Sequence, residues 1–415
     1  MLPLLLEVLV KIALVIGLLM TAAAYLVLLE RRVAAWMQDR LGPNRVGIPL
    51  TKIRLFGLGQ PLADGVKFVF KEEVTPGHVD RALYFLGPIA MFIAALVVFA
   101  VVPFGSVLPA DLGIRGIPEP IHLVIAPNVD VGLIYIFAVS SIAVYGVLLG
   151  SWASNNKYGF FGGLRSSAQL ISYEIPLGLG ILGVVLASGS LRLEDIIRGQ
   201  AESGLWNIFG QPLGFVVFAV ASFAESTRLP FDLPEAEQEL VGGYHTEYAG
   251  IKLMMYLVGE YLHMVIAAFL MAILFFGGWH FWGLTGSSDV VTWPVAIVRV
   301  LVLAAKVMVL VLYFMIARWS WPRFRFDQLM ALAWKVMLPL GMVNLVFVAT
   351  WIEYAPRILA IAHLPAGAMM AILGWGVFLI AWLVMMLLVP ATGDNRRRLE
   401  PVPSAEDREE EVFVR

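Results

Sequence analysis

The sequence predicts an all-α, polytopic membrane protein with about nine transmembrane helices and an amphipathic helix on the cytoplasmic side. Three observations carry this expectation. Hydrophobic residues make up 60% of the 415-residue chain, and mean hydropathy is +0.83. Charged residues are only 14%, against roughly 25% in a soluble domain. Apolar runs recur along the whole length, and a run of about 20 residues is what a bilayer crossing needs. The net charge of −2 points to no class of partner. The absence of cysteine rules out disulfides, thiolate cluster ligands and cysteine nucleophiles. The histidines, His78, His122, His245, His263, His280 and His363, match no zinc or haem spacing, so no metal is expected.

The expected spans lie near residues 4–29, 83–104, 131–152, 166–187, 208–224, 253–277, 293–317, 335–352 and 368–389. The first apolar run is too long for a signal-peptide core and has no basic residues before it. The fifth is the shortest and ends at Glu225. Lys and Arg divide sharply between the two sets of loops. Segments 31–81, 153–165, 225–252, 318–335 and the tail hold 22 of them, and the opposite loops hold only Arg115, Arg192, Arg198 and Arg357. The positive-inside rule then places the N-terminus outside and the C-terminus in the cytoplasm. Lys11, Arg299 and Lys306 fall within spans, where Glu7 and Lys11 are four apart and can neutralise each other. No internal repeat is visible, which weighs against an inverted-repeat transporter.

Between the first two spans, GQPLADGVKFVFKEE places Leu62, Val66 and Val69 on one helical face and Asp64, Lys67 and Lys71 on another, with Pro61 suited to the first turn. At about three turns it is too short to span, and it reads as an interfacial helix: either a surface anchor or a gate for an apolar substrate. In the fourth span, Glu174 lies about one turn inside the apolar run, before Pro176. The G-x-G-x-x-G made by Gly178, Gly180 and Gly183 follows no strand, so close helix packing explains it better than nucleotide binding. Gly146 and Gly150 read the same way.

The richest segment is FAESTRLPFDLPEAEQELVGGYHTEY, residues 223–248. It sets Glu225, Asp232, Glu235, Glu237, Glu239 and Glu247 against Arg228 alone. Carboxylates beside a bilayer are costly and mark function by default. Asp232 and Glu235 have the spacing of a capping box, so the bland alternative is a short solvated helix starting there. That leaves Glu225 unexplained, together with Glu260, which shares a helix face with His263. Glu174, Glu225, Glu247 and Glu260, with Arg299 and Lys306, are expected to form a polar track from the cytoplasmic face to mid-membrane, of the kind that carries protons. Buried salt bridges fixing helix packing are the alternative.

Four cytoplasmic motifs stand together: ERRVAAWMQDRLGPNRVG, SNNKYGFFGGLRSSAQLISYE, AESTRLPFDLPEAEQELVGGYHTEYAG and WPRFRFDQLMALAWKVMLPL. With them the chain resembles the H subunit of the proton-pumping NADH:quinone oxidoreductase, respiratory complex I, over about residues 1–352. The ninth apolar segment (353–390 with its connecting loop) and a charged tail (391–415) depart from that family's eight-helix pattern. The resemblance implies a membrane subunit that forms the quinone tunnel, joins the redox arm to the membrane arm and couples quinone reduction to proton translocation. It implies quinone, ubiquinone or menaquinone, as the substrate, with no flavin, haem or iron–sulfur cluster on this chain. The implied partners are the cytoplasmic quinone-site and terminal-cluster subunits, the adjacent small membrane subunits and lipid, in a bacterial plasma membrane. It also implies tunnel roles for Arg31, Arg32, Arg40, Asp64, Lys67, Arg228 and Phe231. The coupling set it implies is Glu174, Glu225, Asp232, Glu235, Glu237, Glu239, Glu247 and Glu260. A homologous membrane component of a hydrogenase, an independent transporter and a passive anchor are the rival readings.

Overall fold

In the computed structural model, residues 2–47, 56–109, 121–286, 291–362 and 365–388 are described. Among them the chain is helical, with no strand beyond an isolated bridge between Val107 and His122. The helices are α1 (Leu2–Met37), α2 (Gln60–Phe70), α3 (Arg81–Val97), α4 (Gly132–Ala153), α5 (Lys157–Ser188), α6 (Leu193–Ser203), α7 (Asn207–Gly210) and α8 (Pro212–Glu225). They continue with α9 (Glu237–Leu240), α10 (Gly250–Phe275), α11 (Trp293–Ser320), α12 (Phe326–Ala331), α13 (Leu338–Ala362) and α14 (Ala366–Leu388). A π-helical turn, Leu332–Met337, joins α12 to α13.

Among the described residues, eight helices are long and apolar enough to cross a membrane. The expected fifth span is instead the 14-residue α8. At about 21 Å it falls short of a ~30 Å hydrocarbon layer. It follows α7, whose Asn207 Nδ2 donates to the Leu274 carbonyl near the end of α10. It ends at Glu225, where residues 226–236 fold back into the protein: Arg228 and Asp232 are both buried. The shortened helix is therefore what admits the acidic loop.

Three helices extend well beyond the expected spans: α1, α5, and α13, which runs to Ala362. Helix α1 runs to Met37, past Glu30, Arg31 and Arg32, and meets no breaker before Gly42-Pro43. Helix α5 starts at Lys157, capped by the Asn156 side chain, and absorbs Gly162 and Gly163. A Cβ on Gly162 would lie 2.5 Å from the Tyr244 nitrogen. These glycines serve packing, where a loop was expected.

Helix α10 is the axis of the bundle. From Met264 to Phe275 every residue is apolar and buried. In lipid such burial gains little by transfer, so association relies on close approach. Glycines supply it: a Cβ on Gly87 would lie 2.7 Å from Gly150 Cα, and one on Gly150 would lie 2.1 Å from Tyr256 Oη. Gly180 and Gly183 likewise press on Phe218 and on Gln211 with Asn344, whereas Gly178 faces open space. Pro61 stands at the first turn of α2, as expected. No α2 residue is buried; Leu62, Val66 and Val69 are exposed on its apolar face. Glu7 and Lys11 pair at 2.6 Å.

Candidate functional site

Two cavities meet on α10. The larger, about 1200 Å³, lies between α1, α2, the 40–46 segment, α10 and the end of α11. Ala23, Ala24, Val27, Phe68, Leu257 and Val258 contribute apolar wall. Its charged lining comprises Glu30, Arg31, Arg40, Arg45, Asp64, Arg228, Glu235, Glu260 and Arg318. The smaller, about 40 Å³, lies between α3, α4, α5, α8 and α10 and is lined by Ser141, Glu174, Glu225, Tyr244, Glu260 and His263 among others. Glu260 is the one residue in both linings among the described residues.

Glu30 organises the wall of the large cavity. Its carboxylate accepts from Arg228 Nη1 at 3.0 Å, from Tyr261 Oη at 2.5 Å and from Arg318 Nη1. The Arg228 guanidinium also lies 4.2 Å over the Tyr261 ring. One carboxylate thus joins α1, α10, α11 and the loop after α8. Burial works against the charge on Arg228, but Glu30 beside it more than compensates and holds it fully protonated. At the mouth, Asp64 receives Arg31 at 2.8 Å and has Lys67 at 3.6 Å, tying α2 to α1.

The acidic loop runs along the inner edge of this cavity. Burial pushes Asp232 up to about 6, with Arg323 opposing and Glu260 adding to the rise. Glu235 is raised well above the usual carboxylate range, first by burial and then by Glu260. Two neighbouring carboxyls of this kind titrate as a pair. Tyr244 Oη donates to Glu260 Oε1 at 2.5 Å, and burial followed by Glu260 raises the phenol well above its ordinary value. Gly243, at φ +60°, seats this turn against the Pro234 carbonyl, which a Cβ would strike at 1.7 Å. The loop and the Tyr244 turn are thereby locked together. In the small cavity Ser141 Oγ donates to Glu174 Oε1 at 2.5 Å.

The structure brings some sequence-predicted residues together and separates others. Glu174, Glu225 and Glu260 share the small cavity; Glu235 and Glu260 share the large one, with Arg31, Arg40, Asp64 and Arg228. Asp232 is buried and takes Arg323 at 3.1 Å. It does not cap a helix: α9 begins later, at Glu237, after Ala236 and with no side-chain cap. The capping-box expectation fails because Asp232 is committed to Arg323. The side chain of Glu237 lies outside the described set. Glu239 is exposed and pairs with Arg165 at 2.5 Å. Glu247 accepts from Asn156 Nδ2 at 2.6 Å and lines neither cavity. Arg32 donates to the Phe56 carbonyl, and Phe231 is buried against Phe324 and Tyr173. Neither they nor Lys67 line the large cavity.

Arg299 and Lys306 correct the expected track. They do share a face, but it holds the loop after α10. Lys306 Nζ donates to the carbonyls of Phe276, Gly278 and His280 at 2.6–2.9 Å and lies 4.4 Å over the Trp206 ring. Arg299 Nε and Nη2 donate to the Thr285 carbonyl. Burial, then Lys306 and Arg299, lower His280. The apolar length of α10 separates this clamp from Glu260. Sequence reasoning did not single out Glu30, Arg318, Tyr244, Tyr261 or Ser141. The available signal was opposite charge near the C-terminal ends of two helices, Glu30 on α1 and Arg318 on α11.

The sequence model of the NADH dehydrogenase family matches residues 10–349. The chain belongs to this family. Curated relatives are named as the H subunit of NADH-quinone oxidoreductase. One from Cytophaga hutchinsonii is 46% identical over 325 residues, covering 78% of this chain and 90% of the relative. One from Geobacter metallireducens is 45% identical over 344 residues, covering 83% and 95%. One from Protochlamydia amoebophila is 45% identical over 329 residues, covering 79% and 92%. Helix α14 lies beyond the stretch the family model matches. It packs on α7, α8 and α13, away from both cavities.

Proposed function

We propose that the chain is the membrane subunit of NADH-quinone oxidoreductase that binds quinone in the large cavity and passes the charge of its reduction inward through Glu260. The carrying observation is that Glu260 lines both cavities, with Glu235 on one side and Glu225 and Glu174 on the other. Reducing a quinone takes two electrons and two protons. Electrons come from partner subunits; this chain supplies an apolar wall for an isoprenoid tail and a charged inner end. Negative charge appearing there raises the affinity of neighbouring carboxyls for protons. Burial and the neighbouring Glu260 already raise Glu235, so its carboxyl responds first. Tyr244 holds Glu260 on the inner side, and the next acceptors are in the small cavity. From there charge moves laterally to adjacent membrane subunits, since the apolar α10 below offers no polar step.

In this reading the exposed apolar face of α2 rests in the lipid interface, so the mouth held by Arg31 and Asp64 opens toward the bilayer. The basic loops face the cytoplasm and the partner subunits that carry the redox centres. A photoreactive quinone analogue tests the cavity assignment in the assembled complex. Labelling on α1 and α10 that excess quinone abolishes is expected, and Ala35→Trp should block it. Labelling confined to other subunits would overturn it.

A further inference from the structure

We propose that His263 carries the proton between Glu260 and Glu225 across the small cavity. The inference rests on the reading that Glu260 passes charge inward.

His263 is one helical turn from Glu260, on the same face of α10, and lines the small cavity. It is only 8% exposed, and its Nε2 is buried with no protein hydrogen-bond partner. An orphaned buried imidazole nitrogen is destabilising, and a fold keeps one only where something else satisfies it. Ser166 Oγ, on the same lining, is orphaned too. A volume of 40 Å³ holds about three waters at ~10–15 Å³ of centre space each. Water bridging Nε2 and Ser166 completes a chain from Glu260 to Glu225.

The titratable groups facing His263 are Glu260 on its own helix, Glu225 from α8, Glu174 from α5 and Tyr244 from the loop. Tyr244 and Ser141 already hydrogen-bond Glu260 and Glu174, whereas His263 Nε2 has no protein partner and is open to accept through water. The step balances: Glu260 loses a proton to Nε2 through water, leaving a carboxylate and an imidazolium. The imidazolium then gives that proton to the Glu225 carboxylate and returns to neutral.

The test uses the whole complex in proteoliposomes, with His263→Gln, His263→Leu and Glu260→Gln. Protons moved per quinone reduced are measured across pH. A ratio at least fivefold lower in both His263 variants, with an altered pH profile, is expected. A wild-type ratio and profile in His263→Gln would overturn the assignment, whatever His263→Leu does, because glutamine can hold water but cannot titrate. If Glu260→Gln pumps normally, the reading of the two cavities fails as well. If it does not pump while His263→Gln does, only the His263 assignment fails. Should neither His263 variant assemble, redox-induced infrared difference spectra of the wild-type complex with ring-¹⁵N histidine decide. Absence of any histidine protonation signal would overturn the proposal, and a signal lost in an assembling His263→Asn variant would support it.

Discussion

Glu30→Gln removes the carboxylate that faces one buried guanidinium, Arg228, and one half-buried one, Arg318. The substituted amide keeps the size and can still accept from Tyr261, so packing is preserved and the charge balance alone changes. Glu30 and Arg228 side chains are each 6% exposed, and Arg318 is 25% exposed toward the cavity. Removing one partner of a buried pair costs about 3–5 kcal/mol, because the other charge is left uncompensated. Arg318 is partly screened by the cavity, so the lower half of that range applies. With each ~1.4 kcal/mol worth a factor of ten, opening of α1 from α10 and α11 should become about 10²-fold more frequent. The assay is the rate of irreversible thermal inactivation of the assembled complex, a kinetic quantity suited to a large assembly. Glu30→Gln/Arg228→Gln should inactivate more slowly than the two single effects together require, because the double change removes the stranded charge. Wild-type inactivation in Glu30→Gln, or strict additivity in the double variant, would refute the view that this cluster ties the helices together.

Other outcomes follow from the same geometry. Lys306→Met leaves three carbonyls without their donor and should cost about 2–4 kcal/mol, seen as faster proteolysis of the 276–286 loop. The folded-state pKa of Asp232 is raised to about 6, so its contribution opposes stability above that pH and the penalty is relieved as pH falls through it. Asp232→Asn should therefore flatten the dependence of inactivation rate on pH between about 4 and 6. Gly150→Ala puts a methyl group 2.1 Å from Tyr256 Oη and should reduce assembled complex on native gels, with partial recovery in Gly150→Ala/Tyr256→Phe. Val66→Glu places a charge on the apolar face of α2 and should raise the KM for a long-tailed quinone far more than for a short-tailed one.

Much of the fold was legible because a bilayer imposes a simple length rule on apolar runs. The rule fails where a helix outlives the membrane, as α1 does to Met37, or where glycines mimic a loop, as Gly162 and Gly163 do. It also over-read residues 208–224, whose composition is that of a span although α8 has only 14 residues. Glu174, Glu225 and Glu260 could be picked out because each interrupts or ends an apolar run. Their meeting in one cavity could not, since it depends on where α8 ends and how it packs against α5 and α10. Periodicity correctly set Arg299 and Lys306 on one face, yet it gives an azimuth and no partner: the carbonyls they bind belong to a loop. Asp232 had good capping chemistry, and a tertiary ion pair with Arg323 overrode that local preference.

Quinone chemistry in the large cavity reaches the small one through Glu260 in the function proposed above. Protons translocated per NADH oxidised, measured in proteoliposomes of assembled Glu260→Gln complex, test this most directly. A ratio well below that of the wild type is expected while the complex remains intact on native gels. An assembled variant with the wild-type ratio and the wild-type rate would contradict it.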